Sequence, residues 1–419
     1  MRRSVGVLVG VLAVLTVAVA AGVTVAAFPD EGRPIGSWQA ALGETRTHVS
    51  LVRPAPRLER GARQRVGTLQ KITKTIRYGG TPTRQTFHYP GASYVKLHFS
   101  RLKLLPGDWV TVADAAGGEV HRYDTESAET AQRWAMSVDG DTAVLHLHRG
   151  SDRLPRRGKT YGVVVDQVAR GNSPAEQQQL EAATAEPTAP GVTGLEESIC
   201  GDDQSRDAVC YRTADPVAFS RSMGVARLLI NGTELCTGWR LGPKNRMVTN
   251  NHCFDDSDDA YETEVWFNYQ CKVCGAPQTV RPTKVWGDRV LATNAKYDFT
   301  LFTLERFYRV RKFGHLALDA RRPNRNEALY LPQHPGGRPT RIAGGKGEGA
   351  ANCKVVDRHY TGYAKGSDVS YYCDTEGGSS GSPVLSRVTN KVVALHHFGG
   401  CPNSGVRGDL ILAKIKKLI

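Results

Sequence analysis

The distribution of the cysteines divides this chain and constrains its fold more than any other feature. The sequence has 419 residues and nine cysteines, and all nine lie between Cys200 and Cys401. If these cysteines form disulfides, they cross-link only the second half, and the first half must be stabilised differently. The length leaves room for two or three domains. With 40% hydrophobic and 23% charged residues, the composition is that of a globular protein with some linker.

The N-terminal residues indicate export. Arg2 and Arg3 precede an apolar run from Val5 to about Phe28, which holds small residues before two candidate cleavage points. This pattern predicts a signal peptide at residues 1–27 and a secreted, extracellular protein. An uncleaved membrane anchor is the alternative, because the run is long enough to span a bilayer. Export would place the cysteines in an oxidising compartment, where disulfides form and persist.

Residues 66–170 alternate apolar and polar side chains as β-strands do. Turn pairs such as Pro106-Gly107 and Asp139-Gly140 separate the runs. We predict an antiparallel β-sandwich of about 100 residues, which loosely resembles the CUB-like and jelly-roll modules attached to secreted proteases. It could be a pro-domain, an inhibitor in cis or an anchoring module. His146 and His148 share one face of a strand, as a pair of metal ligands does, but without a third ligand such a pair more often faces solvent.

Two segments flank the predicted sandwich. Residues 28–65 are interpreted as an extended N-terminal segment. Residues 171–195 are rich in Ala, Glu, Gln, Pro and Thr and contain almost no large apolar side chains, so they are predicted to be a linker. The remaining residues, 196–419, contain short strands separated by Gly, Pro and Asn turns, with no useful helical period before the C-terminal residues. They fit a pair of packed antiparallel barrels.

Three fragments of this last region carry chemistry. They are Val248–Cys253 (VTNNHC), Tyr297–Leu301 (YDFTL) and Asp374–Pro383 (DTEGGSSGSP). Because a hydroxyl is a poor nucleophile at neutral pH, an acyl-transfer enzyme needs a base to take its proton and a carboxylate to orient that base. We assign Ser380 as the nucleophile and His252 as the general base, with Asp298 orienting it. Glycines at 378 and 381 allow a turn that aims the N–H groups of Gly378 and Ser380 at an oxyanion.

These fragments resemble the trypsin and chymotrypsin superfamily, with a histidine in a Thr-x-x-His-Cys context and a serine in Gly-x-Ser-Gly-x-Pro. The resemblance is closest to the bacterial lysyl endopeptidases, through Leu235–Gly238, Trp266–Gln270, Cys274–Pro277 and His334-Pro335. Glutamyl endopeptidases come next. The resemblance implies an all-β fold of two packed antiparallel six-stranded β-barrels at residues 196–419. It also implies a secreted serine endopeptidase that acts on protein or peptide substrates without a metal or organic cofactor.

Two positions depart from the trypsin pattern. Asn250 and Asn251 replace the small apolar pair that usually precedes the histidine, as polar residues also do in glutamyl endopeptidases. Ser379 stands where trypsins have the aspartate that captures a newly cut N-terminus. Activation through that ion pair is therefore excluded. If the segment before Cys200 is removed from a zymogen, its removal should release or unmask the site.

The residues that could line the specificity pocket (S1) carry conflicting signals. Acids at Asp374, Glu376 and Asp409, near Thr375, favour a basic residue (Lys or Arg) before the cut bond, because a desolvated carboxylate selects a basic side chain. His396 points the other way, since glutamyl endopeptidases bind an acidic side chain with a histidine in a similar segment. The lysyl branch also has a histidine there, with a packing role. Asp374 could also be a solvated loop acid.

The resemblance also suggests how the cysteines pair. Cys236–Cys253 would clamp the histidine loop, and Cys200–Cys401 and Cys210–Cys274 would follow the family. Cys353–Cys373 would then bracket the loop before the serine and leave Cys271 unpaired. Cys271 and Cys274 could instead be half of a zinc site, but no second pair has the required spacing, so we expect no metal.

The formal net charge of +14 raises the question of nucleic-acid binding. The basic residues are spread along the chain and interleave with apolar ones, without aromatic stacking platforms, so no nucleic-acid function is expected. We also expect no stable membrane partner, and we expect the protein to be a monomer. A catalytically idle protease homologue that works through its sandwich is an alternative, although such homologues commonly lose one of His252, Asp298 and Ser380.

Overall fold

The computed structural model of the chain describes residues 63–78, 82–124, 133–150, 161–184, 198–346 and 352–419. The predicted signal peptide lies outside the described residues, as does the N-terminal segment up to residue 62. Within the described ranges, no helix is both long enough and apolar enough to cross a membrane.

The described part of the N-terminal half contains ten strands. They are β1 (Gln64–Arg65), β2 (Gly67–Arg77), β3 (Arg84–His88), β4 (Tyr94–Lys103), β5 (Trp109–Asp114), β6 (Val120–Asp124), β7 (Arg133–Trp134), β8 (Val138–Asp139), β9 (Thr142–His148) and β10 (Gly162–Gly171). Strands β2 to β10 form the sandwich, whereas β1 pairs with a strand of the second half. One sheet has the order β2-β10-β4-β7, with β8 also paired to β4, and the other has the order β3-β9-β5-β6. The two sheets enclose one apolar core that includes Leu97, Val112 and Leu145. They form the sandwich expected for this region.

The second half contains fourteen further strands within the described residues. They are β11 (Arg206–Asp207), β12 (Val225–Ile230), β13 (Glu234–Arg240), β14 (Met247–Thr249), β15 (Glu264–Phe267), β16 (Thr283–Asn294), β17 (Phe299–Leu304), β18 (Leu329–Gln333), β19 (Arg341–Ala343), β20 (Val355–Tyr360), β21 (Asp368–Tyr371), β22 (Pro383–Ser386), β23 (Val392–Phe398) and β24 (Asn403–Arg407). The α-helices within the described residues are Pro174–Thr184, Tyr211–Ala214, Pro216–Ser222, Ser257–Glu262 and Gly408–Ile415.

These strands form two antiparallel barrels. The first follows the order β13-β12-β15-β16-β17-β14 and closes because β14 pairs again with β13. The second contains β18-β22-β23-β24-β21-β20, and its ends meet through a bridge between Ala328 and Lys354. One apolar cluster joins residues of both barrels, among them Trp239 and Leu395. The predicted all-β, chymotrypsin-like double barrel is therefore confirmed.

The predicted linker at residues 171–195 is partly wrong, because residues 174–184 form a helix. Ser173 begins it with a reciprocal capping arrangement: the Glu176 carboxylate accepts from the Ser173 N–H at 2.8 Å, and Ser173 Oγ accepts from the Glu176 N–H at 3.2 Å. Ala, Glu and Gln, which suggested a linker, are also strong helix formers. Residues 185–195 lie outside the described residues.

The second half contains four disulfides, between Cys200 and Cys401, Cys210 and Cys274, Cys236 and Cys253, and Cys353 and Cys373. They are the four pairs predicted above, three from the resemblance and Cys353–Cys373 as the remaining pair. Cys271 carries a buried free thiol, whose pKa burial raises.

The sandwich and the first barrel meet through buried charges. Lys96 Nζ of β4 lies 3.0 Å from Glu264 Oε1 of β15, and both side chains are fully buried. Glu264 also accepts hydrogen bonds from Ser137 N and Oγ, at 2.8 and 2.7 Å. Burial alone would raise the pKa of Glu264, but the charges of Lys96 and Lys284 hold it below its usual value. A charge buried in this way is stable only while its partners are present.

Candidate active site

His252 and Asp298 lie close together because His252 follows β14, Asp298 precedes β17, and these two strands are paired. Thr249, at the end of β14, is opposite Thr300 in β17, so the loops that carry the two residues are adjacent. His252 Nδ1 lies 2.8 Å from Asp298 Oδ2, and the His252 N–H donates to Asp298 Oδ1 at 2.9 Å. One carboxylate thus fixes both the ring and the backbone of the histidine.

The Asp298 carboxyl is buried and ionised. Burial alone would raise its pKa, but the charge and hydrogen bonds of His252, together with those of His397, hold the pKa well below its usual range. Asp298 has a positive φ of 42°, a conformation that aspartate tolerates better than most residues. Asn250 Nδ2 donates to the Asp298 carbonyl at 2.8 Å, and Asn251 Nδ2 donates to Thr293 Oγ1 at 2.7 Å. The two polar departures from the trypsin pattern therefore brace the aspartate loop.

Ser380 lies on a tight loop attached to β13. Its carbonyl accepts from the Thr237 N–H at 2.8 Å, and the N–H of Gly381 donates to the His396 carbonyl at 3.0 Å. Gly381 has a φ of 87°, and a Cβ there would lie only 2.1 Å from the Thr237 carbonyl oxygen, so this position requires glycine.

A disulfide connects the serine support to the histidine loop. Cys236 precedes Thr237, and Cys253 follows His252. The two sulphurs and a ring nitrogen of His252 lie within 4.8 Å of one another. Because the sulphurs are bonded to each other, they offer no thiolate to a metal. Strand β13 therefore carries the serine loop and is bonded covalently to the loop of the imidazole.

The peptide between Gly377 and Gly378 has a fixed orientation. The Gly377 carbonyl accepts from the Gly336 N–H at 2.7 Å. Since the C=O and N–H of a trans peptide point in opposite directions, the Gly378 N–H is directed away from Gly336. Thr237 Oγ1 donates to the Gly378 carbonyl at 2.8 Å. Such fixed backbone donors are the groups that stabilise a developing oxyanion.

Thr237 belongs to the site, although the sequence indicated it only as one residue of the Leu235–Gly238 motif. Its N–H holds the Ser380 carbonyl, and its hydroxyl holds the Gly378 carbonyl. It also receives a hydrogen bond from the His334 N–H at 3.2 Å. Both candidate oxyanion donors, Gly378 and Ser380, are thereby positioned by one side chain and its backbone.

His397 is the other residue that sequence reasoning missed. Its Nδ1 lies 3.2 Å from Asp298 Oδ2 and its Nε2 lies 2.6 Å from Asp368 Oδ2, with all three side chains buried. Asp368 also accepts from the hydroxyl of Ser404 at 2.9 Å. The result is a buried row of alternating rings and carboxylates: His252, Asp298, His397 and Asp368.

The two carboxylates keep His397 protonated. Burial would lower its pKa, but the charge of Asp368 and the hydrogen bonds to Asp298 and Asp368 raise it to about 9. His397 therefore carries a positive charge behind Asp298 at neutral pH. The doubled histidine in the sequence was the available signal, because neighbouring residues of a strand point to opposite faces.

Two of the predicted pocket residues, Asp374 and Thr375, are hydrogen-bonded to backbone groups of residues 198–204. Asp374 accepts from the backbone N–H groups of Cys200, at 3.3 Å, and Gln204, at 3.0 Å, and its pKa is raised by burial. The neighbouring Thr375 is buried, and its N–H donates to the Ser198 carbonyl at 3.2 Å.

The other predicted pocket residues also have partners within the chain. Glu376 pairs with Arg338. Asp409, in the first turn of the helix Gly408–Ile415, pairs with Arg407 at 2.5 Å. His396 Nδ1 lies 2.7 Å from the Tyr371 hydroxyl. Burial, with the charge of nearby histidines, lowers the pKa of His396 to about 3.

His146 and His148 of the sandwich are neighbours, and among the described residues no third metal ligand lies with them. The rings of His146 and His148 are 4.1 Å apart between centroids, and His148 stacks on Trp109. His148 Nε2 lies 2.8 Å from Thr111 Oγ1. Their contacts are those of side chains packed on a strand.

The chain is similar to known proteins over the region that holds this site. The model of the trypsin-like peptidase domain matches residues 236–395, which include the three candidate catalytic residues. Secreted RxLR effector protein 73 of Plasmopara viticola is 33% identical over 339 residues, which cover 78% of this chain and 79% of that protein. Uncharacterized protein y4fB of Sinorhizobium fredii is 27% identical over 178 residues, 39% of this chain and 25% of that protein.

Solved structures similar to this chain include proteases. The Rv3671c protease of M. tuberculosis, in its inactive form, is 14% identical, with a TM-score of 0.36 over 50% of this chain and 95% of its own. A Glu endopeptidase in complex with MPD is 17% identical, with a TM-score of 0.37 over 52% of this chain and 97% of its own. The extent of the match to the effector shows the family: this chain belongs to the family of the secreted RxLR effector protein 73 and contains a trypsin-like peptidase domain.

Proposed function

We propose that the chain is a serine endopeptidase in which Ser380 is the nucleophile, His252 the general base and Asp298 the group that orients it. The observation that carries the proposal is the buried contact between His252 Nδ1 and Asp298. This contact leaves Nε2 to take a proton, and Nε2 has no hydrogen-bond partner within the described part of the chain. The trypsin-like peptidase domain supports the same chemistry.

The proposed reaction proceeds through an acyl-enzyme. Ser380 Oγ attacks the carbonyl carbon of a peptide bond and its proton passes to His252, while the N–H groups of Gly378 and Ser380 stabilise the oxyanion. His252 then gives the proton to the leaving amine. Water, deprotonated by His252, hydrolyses the ester and restores Ser380. The positive charge of His397 helps to keep Asp298 ionised throughout.

We propose a basic residue before the cut bond, with an acidic residue as the alternative. His396 has its pKa lowered to about 3, so it offers no positive charge to an acidic side chain at neutral pH. Hydrolysis of matched peptides with Lys, Arg or Glu before the bond tests the choice. Cleavage after Glu alone would contradict the preference for a basic residue.

We also propose that the protein is secreted and acts outside the cell. Four disulfides fit an oxidising compartment, and the name of the relative describes that protein as secreted. Mass spectrometry of the protein from a culture supernatant should show a mature N-terminus after the apolar run and would also reveal any zymogen cleavage. Retention in the cell membrane would contradict export.

The enzyme assignment is tested with two serine variants of the full chain. Ser380→Ala should retain the fold and lose hydrolysis of a denatured protein substrate. Ser382→Ala changes a fully buried neighbouring serine, and this variant should retain hydrolysis. Hydrolysis unchanged in Ser380→Ala would place the nucleophile elsewhere. A folded wild type without hydrolysis, even after the N-terminal segment is cleaved, would favour the idle binding protein.

A further inference from the structure

Strand β1 lies along the edge of the first barrel that supports the candidate nucleophile. Gln64 pairs antiparallel with Leu235 of β13, and Arg65 pairs with Glu234. Two residues after Leu235, the Thr237 N–H holds the Ser380 carbonyl. An extended segment added to an open strand edge is a common mode of peptide recognition. Strand β1 therefore lies along this edge as an added peptide strand would, beside the site.

The direction of β1 shows which side of a substrate it represents. The Val66 N–H donates to the Thr233 carbonyl at 2.8 Å, so β1 runs away from the serine loop as it proceeds from Gln64 to Val66. Gln64 also packs on the loop itself, since a Cβ on Gly377 would lie 1.8 Å from Gln64 Oε1. A peptide bound like β1 presents its N-terminal side to Ser380. Strand β1 thus corresponds to residues that follow a cut bond.

Arg63 binds three acceptors at this edge. Its Nη1 lies 2.7 Å from Glu234 Oε2, its Nη2 lies 3.0 Å from Asp259 Oδ2, and its Nε donates to the His252 carbonyl at 3.3 Å. Three nitrogens of one planar guanidinium are therefore used at once. A lysine ammonium is a point donor and cannot reproduce this arrangement.

The protein holds the acids in place around the guanidinium. Asn231 Nδ2 donates to Asp259 Oδ1 at 3.3 Å, which leaves Oδ2 for Arg63. The Asp259 N–H is itself held by Asp256 Oδ1 at 2.8 Å, at the start of the helix Ser257–Glu262. The side chains of Arg63, Glu234 and Asp259 are 23, 37 and 30% exposed, so a guanidinium can enter from solvent.

We propose that Glu234, Asp259 and the His252 carbonyl form a subsite for an arginine that follows the cut bond, and that Arg63 fills this subsite in cis. The inference rests on the proposed endopeptidase function and adds a selectivity on the leaving-group side. It concerns residues distinct from those considered for the side chain before the cut bond.

The sandwich holds the internal occupant in place. Val66 is buried with Leu235 and Trp266, and its carbonyl accepts from the Asn172 N–H at 2.8 Å. A segment tethered in this way competes with free substrate at a high effective concentration. In the full chain, Arg63 and Gln64 therefore limit access to the leaving-group side of the cleft.

The first test measures occupancy in the full chain. Arg63→Gln removes the charge that binds both acids, whereas the matched control, Arg65→Gln, changes an exposed side chain whose described hydrogen bond is to the Gly67 carbonyl. We expect fluorophosphonate labelling of Ser380 to be about fivefold faster in Arg63→Gln, as loss of a partly exposed ion pair of about 1 kcal/mol predicts, and unchanged in Arg65→Gln. Equal rates in both variants would overturn the occupancy.

The second test measures selectivity. The Arg63→Gln chain is incubated with a mixed peptide library, and the residue after each cut bond is identified by mass spectrometry. Arginine should be enriched there, and the enrichment should disappear when Glu234→Gln and Asp259→Asn are added but persist with the remote Glu176→Gln. Cleavage without arginine enrichment would refute the subsite while leaving the endopeptidase intact. Absence of both cleavage and labelling in every folded variant would refute the endopeptidase, and the subsite with it.

Discussion

The β-sandwich and the double barrel are stabilised in different ways. The sandwich has an apolar core, and residues 66–170 contain no cysteine. The barrels have apolar cores as well, and four disulfides join their loops. At the junction, the fully buried Lys96 of the sandwich pairs with the fully buried Glu264 of the first barrel. A buried ion pair is strongly destabilising when one partner is removed.

The buried ion pair makes the sandwich depend on the barrel, although the sandwich has an apolar core of its own. The sandwich supplies Lys96 to the junction and holds Val66, which directs β1 to the edge of the cleft. The barrel depends on the sandwich in turn, because Lys96 and Ser137 supply partners to the fully buried Glu264. We therefore expect the two regions to unfold together.

The largest effect is expected from breaking the junction. Glu264→Gln leaves Lys96 buried without its counter-charge and should lower the free energy of unfolding by about 3–5 kcal/mol. The control, Glu176→Gln, changes a pair with Arg170 in which the Glu176 side chain is 42% exposed, and should cost less than about 1 kcal/mol. Calorimetry should show one transition in the wild type and a separate sandwich transition in Glu264→Gln. Equal costs for the two variants would contradict a coupled junction.

The buried row of rings and carboxylates should make the barrels sensitive to alkaline pH. Folding raises the pKa of His397 from 6.5 to about 9. The protonated ring therefore contributes its full stabilisation of the folded state below pH 6.5, and this contribution is lost as the pH rises through 9. Chemical denaturation should show a fall of up to about 3 kcal/mol across this window.

His397→Gln is the variant that isolates this titration. This variant should lose most of the decrease in the free energy of unfolding at alkaline pH, because glutamine does not titrate. The sandwich variant His146→Gln should show the same decrease as the wild type. If denaturation of His397→Gln shows the same pH dependence as the wild type, the positive charge does not reside on His397.

A smaller effect, confined to the barrels, is expected from the turn behind the nucleophile. In Gly381→Ala the new methyl group would meet the Thr237 carbonyl at 2.1 Å, and the displaced serine loop should reduce kcat at least about a hundredfold. Gly242→Ala has a similar φ of 66° but no atom within 4 Å, so it should lower stability slightly and retain kcat. Steady-state kinetics and thermal unfolding of both variants provide the measurement, and a fully active Gly381→Ala would contradict the assigned geometry.

The smallest effect is expected at the Thr237 hydroxyl, which holds the peptide group of Gly378, one of the two candidate oxyanion donors. Thr237→Val removes the hydrogen bond to the Gly378 carbonyl and should lower kcat about tenfold, with little change in KM, because the donors act in the transition state. Thr303→Val removes a hydroxyl bonded to Asp288 at 3.0 Å and should leave kcat unchanged. An equal rise in KM and no change in kcat would assign Thr237 to substrate binding.

The sequence predicted the features that depend on local chemistry or on a family pattern. The strands of the sandwich follow from alternation, the barrels follow from the short strands together with the resemblance, and three of the four disulfide pairs follow from the resemblance. His252 and Asp298 meet as their motifs suggested, because β14 and β17 are paired. The helix at 174–184 could have been predicted from Ser173 and Glu176, which cap its first turn.

Features that depend on distant chain segments could not be predicted in the same way. The partners of Asp374 come from backbone N–H groups of Cys200 and Gln204, more than 160 residues earlier. The role of His397 depends on the strand register that directs it, and not His396, toward Asp298. The pairing of Gln64 with Leu235 is a long-range contact of an otherwise featureless segment.

The central claim is that Ser380 is activated by the pair formed by His252 and Asp298. Peptide mapping of the full chain, as wild type and as Arg63→Gln, after reaction with a fluorophosphonate tests it most directly. We expect one adduct, on Ser380, that is absent from His252→Ala. An adduct on another serine would contradict this activation. So would the absence of any adduct from both the folded wild type and the folded Arg63→Gln variant.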